Sequence, residues 1–442
     1  MLTQTSSSHA LRGRVLSFTD DGHVYHADGL VSIRHGHIAA VGAACDLLPG
    51  LAPGSKITDH GGHLILPGLI DTHIHYPQTR VIASHGTQLL EWLQKYTFVE
   101  EQKLRDPAYA GQVARFFLDE LFRNGTTTAA VYCTVHPQSV TAFFSEAEGR
   151  GARMIAGKVM MDRGAPTGLL DTAQSGYDDS RALLLAWHGR GRLGYAITPR
   201  FAITSTAAQL DAAGALALEF PDVHVQTHLC ETLAEIALAK SLHPDAASYT
   251  DIYRRHGLLG PRSILGHCIH LQAAEVDMLA TSGSVAAFCP TSNLFLGSGL
   301  FDMARLKAAG VRIGLATDIG GGTSYSMLRT AAEAYKVLQM QGQTLPALEA
   351  FRMMTRGNAG VLGLADRIGS LQAGMEADIV VLDASATPAM AQRMAAVRDD
   401  LAEELFVLMT LGDDRSVRAT YVAGQRIPRP PFMGEGRPEG PR

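Results

Sequence analysis

Between Pro67 and about Gly369 the chain repeats one unit, a short β-branched apolar run followed by a stretch with helical patterning. Eight such runs stand out: Leu66–His75, Thr126–Cys133, Arg153–Met161, Leu193–Phe201, Val223–His228, Ser263–His267, Ser284–Cys289 and Arg312–Asp318. Strand-then-helix repeats predict parallel strands with crossover helices, and eight of them in roughly 300 residues fit a (β/α)8 barrel. Active sites of that architecture lie at the C-terminal ends of the strands. Four of these runs stop on His75, His228, His267 and Asp318.

Helical patterning is clearest over Ala110–Asn124, Ala207–Glu219 and Ser326–Gln341, which would belong to the outer ring. Ser84–Arg105, with Trp92, Tyr96 and Phe98, reads as a long aromatic βα loop and a pocket wall or lid. Outside the barrel, Gly13–Val41 alternates with turn signals at Asp20-Asp21-Gly22 and Asp28-Gly29, while Glu376–Asp383 and Ala419–Ile427 also read as strands. The expected architecture is therefore an α/β protein: a TIM barrel over 67–369 and a small β-sandwich-like domain assembled from 1–66 and 370–430. Residues 431–442 would form a flexible Pro/Gly-rich tail.

Residues two apart on a strand share a face, so the imidazoles of His73 and His75 can grip one metal ion. Among 18 histidines such a pair also arises by chance. What favours a metal is that His228, His267 and Asp318 stand at equivalent strand ends. His224, near the far end of its strand, reads as structural, as do His63 and His270. Gly320-Gly321-Gly322 lacks the Lys-Ser/Thr of a phosphate loop and reads as a close-approach loop.

With 46% hydrophobic residues in 442, the chain can bury a large core. A net charge of −5 with no basic run gives nucleic-acid binding no electrostatic support. The opening Met1–Ser8 lacks an apolar signal core and no stretch spans a bilayer, which reads as a cytoplasmic protein without membrane partners. Five cysteines without a Cys-x-x-Cys pair read as buried free thiols.

Pro67-Gly68-Leu69-Ile70-Asp71-Thr72-His73-Ile74-His75 resembles the opening motif of the amidohydrolase superfamily. Further stretches resemble its guanine deaminase family: His75-Tyr76-Pro77-Gln78, Leu90-Glu91-Trp92-Leu93, Thr198-Pro199-Arg200-Phe201-Ala202, His228-Leu229-Cys230-Glu231, Phe288-Cys289-Pro290-Thr291-Ser292-Asn293 and the segment from Thr317 to Met327. The resemblance covers nearly the whole chain and implies a homodimer acting on a small purine base with water.

Neutral imidazoles plus one carboxylate hold Zn²⁺ and leave a position for water. His73, His75, His228 and Asp318 are assigned as ligands, a set the resemblance supports, with one zinc per chain and iron as the alternative. Glu231, three residues past His228, can sit beside the metal without ligating it and would shuttle protons; the resemblance implies that the carboxylate matching Asp318 takes the proton of the attacking water. No lysine ends the fourth strand to bridge a second metal, so His267 reads as a polariser of the attacking hydroxide. The resemblance sets Gln78, Arg200 and Phe201 against the purine, where Arg200, a pure donor, suits a carbonyl; Trp92 would add an apolar wall. Two other readings are an amidohydrolase acting on a pterin or aminotriazine, and a catalytically inactive scaffold; the complete ligand set speaks against the scaffold.

Overall fold

The computed structural model describes residues 9–20, 22–86, 88–397 and 399–429. Its strands, in chain order, are β1 (His9–Phe18), β2 (His23–Arg34), β3 (His37–Ala43), β4 (Lys56–Pro67), β5 (Leu69–His75), β6 (Thr126–Tyr132), β7 (Arg153–Gly157), β8 (Val159–Met160), β9 (Gly194–Pro199), β10 (His224–Leu229), β11 (Ser263–His267), β12 (Val285–Phe288), β13 (Arg312–Leu315), β14 (Ile379–Leu382), β15 (Val417–Val422) and β16 (Gln425–Arg426). Eight of them run parallel around the barrel in the order β5-β6-β7-β9-β10-β11-β12-β13, with short β8 beside β9. All seven residues of β5 and all seven of β6 are buried, as expected of strands covered on both faces.

The seam between β13 and β5 closes just past the strand ends. The Asp318 amide donates to the His73 carbonyl (2.9 Å) and the His75 amide to the Ile319 carbonyl (2.7 Å). Nearer the other end the Asn358 carboxamide donates to the carbonyls of Ile70 (2.6 Å) and Leu315 (2.8 Å) and accepts from the Leu315 amide (2.9 Å). Buried backbone groups that would otherwise lack partners are thereby satisfied. Three residues of the seam, His73, His75 and Asp318, carry candidate metal donors.

The segments from both termini form one seven-stranded sheet, β16-β15-β14-β4-β1-β2-β3, with its own apolar cluster around Leu11, Val31, Ile65 and Ile379. Residues of β4 pair with both β1 and β14, so the two chain ends share a strand. Buried Arg153 and half-buried Arg192 both bond Glu376, tying the barrel to this sheet.

Several boundaries differ from the sequence expectation. The first barrel strand starts at Leu69, not Leu66: Leu66 and Pro67 pair with Val380 and Ile379 in the terminal sheet. Gly68 separates the two strands, and a Cβ there would lie 2.2 Å from the Thr127 hydroxyl. Asp28-Gly29 is not a turn but the middle of β2, where Asp28 takes two 2.8 Å bonds from Arg12. The hairpin turn is His35-Gly36, with φ of 51° and 78°, the left-handed pair a two-residue loop requires. Arg153–Met161 is broken at Lys158, and Glu376–Asp383 is a strand only over Ile379–Leu382. Ser84–Arg105 is not a loop throughout: Leu89 to Arg105 is a run of helical turns. His63 lies inside β4, and Cys45 is exposed whereas the other four cysteines are buried. The turn residue Asp21 and the expected tail over 431–442 lie outside the described residues.

Candidate active site

At the C-terminal mouth of the barrel, side chains from β5, β10 and the segment after β13 converge. Nε2 of His75 lies 3.3 Å from Nε2 of His73 and 3.2 Å from Nε2 of His228. Oδ1 of Asp318 is 3.3 Å from Nε2 of both His73 and His75. Four tetrahedral ligands at Zn–N and Zn–O lengths stand roughly 3.3–3.4 Å apart, so these separations match the edges of such a site. His228 Nδ1 donates to the Arg200 carbonyl (2.7 Å), which leaves its Nε2 lone pair facing the cluster. Lone pairs crowded at these distances repel unless a cation lies among them, and the donor set therefore fits a metal.

His267 reaches the same point. His73, His228, His267 and Asp318 each offer an atom within 4.8 Å of the others, so two overlapping quartets exist, one completed by His75 and one by His267. The three 3.2–3.3 Å contacts of His75 favour it, whereas Nε2 of His267 stands 3.8 Å from Asp318 Oδ2 and 3.4 Å from Glu231 Oε2. Nδ1 of His267 is bonded to Asn293 Oδ1 (2.9 Å). Gly266 precedes it because a Cβ there would sit 2.6 Å from His73 Cε1. Both His267 (φ 72°) and Asp318 (φ 53°) hold left-handed backbone, strain of the kind tolerated where the surroundings over-determine a site.

Electrostatics separate the carboxyls. Burial pushes the Asp318 carboxyl up, but the imidazoles of His73 and His75 against it outweigh burial and hold the group well below the usual carboxylate range. Burial, then the charge of Asp318, raises Glu231 to about 8 against the opposing bond from Ser298 (2.9 Å). Glu231 is thus a carboxylic acid at neutral pH beside an ionised carboxylate, the pairing needed for separate acid and base roles. Burial lowers His75 to about 3 and His228 well below the usual imidazole range, as neutral ligands require.

A small cavity opens on this cluster, lined by His75, Gln78, Leu89, Trp92, Leu93, Arg200, Phe201, His228, Glu231, His267, Leu296, Asp318 and Gly321. Of the residues assigned from the sequence as metal, catalytic or substrate groups, all are on this lining except His73, which has no exposed surface, while Tyr96 and Phe98 of the expected aromatic wall are not on it. Trp92 comes from the helical run, with Nε1 donating to the Ser84 carbonyl at 3.3 Å. His224 instead bonds the Leu362 carbonyl (2.9 Å), His270 the Ser298 carbonyl (2.7 Å) and His63 the His60 carbonyl (2.6 Å), so none joins the cluster. The Gly320 amide approaches Gln78 Oε1 at 3.1 Å.

Four participants were missed in the sequence. Asp71 accepts from the amides of His73 (3.1 Å) and Thr317 (3.2 Å), bracing the two ligand-bearing segments against each other. Asn293 orients His267 and Ser298 holds Glu231; the Gly297-Ser298-Gly299 turn was the available signal for the latter. Buried Glu101, held within the 89–105 segment, bonds both Gln78 and Arg200.

Residues 64–427 match the amidohydrolase family. The chain is 50% identical over 400 residues to guanine deaminase of Escherichia coli, covering 90% of this chain and 91% of that protein. A solved E. coli guanine deaminase superposes with a TM-score of 0.93 at 48% identity, over 95% of this chain and 99% of the other. The guanine deaminase of C. acetobutylicum with guanine bound in its active site gives 0.87 at 29% identity, over 95% of this chain and 100% of the other. With this site and these relatives, the chain belongs to the amidohydrolase family and, within it, to the guanine deaminases.

Proposed function

We propose that the chain hydrolyses guanine to xanthine and ammonia, using one zinc held by His73, His75, His228 and Asp318. The observation that carries this reading is that Glu231 and Arg200 open on the same small cavity as the metal donors. Three nitrogens and one carboxylate oxygen suit zinc, with iron as the alternative. When bound, the metal supplies Lewis-acid activation of a water at neutral pH.

The residues then divide the proton traffic. Arg200 donates to the purine carbonyl and fixes the base in the plane that brings its amino-bearing carbon to the donor cluster. Glu231, neutral before reaction, protonates the ring nitrogen next to that carbon. Asp318 takes a proton from the attacking water, and His267, anchored by Asn293, polarises that water. A proton returned to the amino group lets it leave as ammonia, with the carbonyl of xanthine left behind. Phe201 and Trp92 close the apolar sides of the cavity.

The catalytic unit of this reading is the barrel over 67–369, with the composite sheet over 1–66 and 370–430 beside it. Cytoplasmic location and a homodimer belong to the same reading, and the homodimer rests on the resemblance to the family. No helix among the described residues is long and apolar enough to cross a membrane. The test is ammonia release from purified protein offered guanine, adenine, a pterin and an aminotriazine. Guanine alone among these should be consumed efficiently; turnover of the aminotriazine or pterin without guanine would transfer the site to the other substrate class.

A further inference from the structure

Arg200 is one of the most deeply buried cations in the chain at 2% exposure, and its counter-ion is Glu101, which has no exposed surface. Nη1 of Arg200 donates to Oε2 (2.7 Å) and Oε1 (3.0 Å) of that carboxylate. Oε1 also accepts from Nε2 of Gln78 at 3.0 Å, while Oε1 of Gln78 takes the Gly320 amide at 3.1 Å. The Gln78 carboxamide can therefore face only one way. Beneath the guanidinium lies the ring of Phe98, 5.3 Å from Cζ to centroid.

Gln78 and Arg200 line the cavity, whereas Glu101 does not. A carboxylate that never meets the ligand, yet bonds two residues that do, has its effect through them. A guanidinium carries five donors on three nitrogens, and Glu101 occupies one nitrogen only, so the others remain for a ligand. A free arginine side chain samples many rotamers, and holding it in one before binding removes that ordering cost from the binding step.

We propose that Glu101 is a positioning residue for substrate recognition, locking Arg200 and Gln78 into a single preset clamp for the carbonyl-bearing edge of the base. This rests on the guanine reading above. The Glu101 carboxylate also balances the Arg200 charge, so the clamp addresses a neutral heterocycle with a polar edge, not an anion.

The test is steady-state kinetics of the metal-loaded enzyme for wild type, Glu101→Gln, Glu101→Asp, Arg200→Ala and the double variant Arg200→Ala/Glu101→Gln, on guanine and on 2-aminopurine, which lacks the carbonyl. Losing the charge from three hydrogen bonds should raise KM for guanine on the order of 10- to 100-fold in Glu101→Gln, with kcat within about threefold. Glu101→Asp should recover part of that loss, and 2-aminopurine should be nearly indifferent. In the Arg200→Ala background, Glu101→Gln should add much less than its loss in the wild type, because only the contact with Gln78 is left for it to act through. The double variant removes both members of the buried pair and leaves no orphan charge, so this comparison survives even if Glu101→Gln alone folds poorly.

An unchanged KM in Glu101→Gln, a loss shared equally by 2-aminopurine, or a loss that adds in full to that of Arg200→Ala would overturn the assignment. Wild-type turnover separates the two layers. Guanine turnover with an indifferent Glu101→Gln removes the Glu101 role alone, whereas a wild type that converts 2-aminopurine but not guanine removes the guanine reading and the clamp together.

Discussion

The backbone carbonyl of Arg200 accepts both the amide (3.1 Å) and Nδ1 (2.7 Å) of His228, so one residue orients a candidate metal donor through its main chain and lines the cavity with its side chain. The two functions are separable by mutation. Arg200→Ala keeps the carbonyl and should keep bound metal, while kcat/KM for guanine falls by on the order of 2–5 kcal/mol because a desolvated carbonyl loses its donor. It also strands the Glu101 carboxylate, so global stability should fall by roughly 3–5 kcal/mol. Parallel metal analysis, kinetics and denaturant unfolding check all three; loss of metal in Arg200→Ala would contradict the separation.

The overlapping quartets are resolved by comparing His75→Ala with His267→Ala. Bound zinc should drop in His75→Ala, as in the Ala variants of His73, His228 and Asp318, and persist in His267→Ala, whose activity alone falls. Retained zinc in His75→Ala would exchange the roles of these two histidines.

Glu231→Gln preserves shape but carries no transferable proton. Metal should stay bound and kcat fall by roughly 10²–10⁴-fold, the usual worth of general acid–base catalysis. A near-normal rate would mean that another group moves the proton.

His224, at the opposite end of β10 from His228, gives a stability prediction independent of the chemistry. Burial lowers it from 6.5 to about 4, against the opposing bond to the Leu362 carbonyl. On acidification the unfolded chain takes up this proton first, so stability is full above 6.5 and is lost as the pH falls from 6.5 toward 4. Between pH 7 and pH 5 this one group should cost about 2 kcal/mol. His224→Gln, whose amide can still donate to Leu362, should lose correspondingly less in denaturant unfolding over that interval. Identical pH dependence in variant and wild type would show that His224 is protonated in the folded state.

The barrel was legible because its strands are short, apolar and regularly spaced, and the site because strand ends gather what lies far apart in sequence. Residues 89–105 were not legible as a helix. The π turn at Leu93–Thr97 shifts the register, so Leu89, Trp92, Phe98 and Leu104 do not follow a single 3.6-residue stripe. Glu101 was hidden for the same reason: in an aperiodic segment a carboxylate reads as solvated, and its partners lie 23 and 99 residues away. The Leu66–His75 run reads as one strand because it is apolar on both sides of Gly68, where the close approach of Thr127 marks the division.

The central claim is that one metal, held by four residues, makes this cavity a guanine-hydrolysing site. It is tested most directly by stripping the purified protein with a chelator and titrating zinc back while following the conversion of guanine to xanthine. Activity should be absent in the stripped protein, rise linearly and break at one zinc per chain, with ammonia released in equal amount to xanthine. Guanine turnover that survives full removal of metal, or a break at two zinc per chain, would contradict the account.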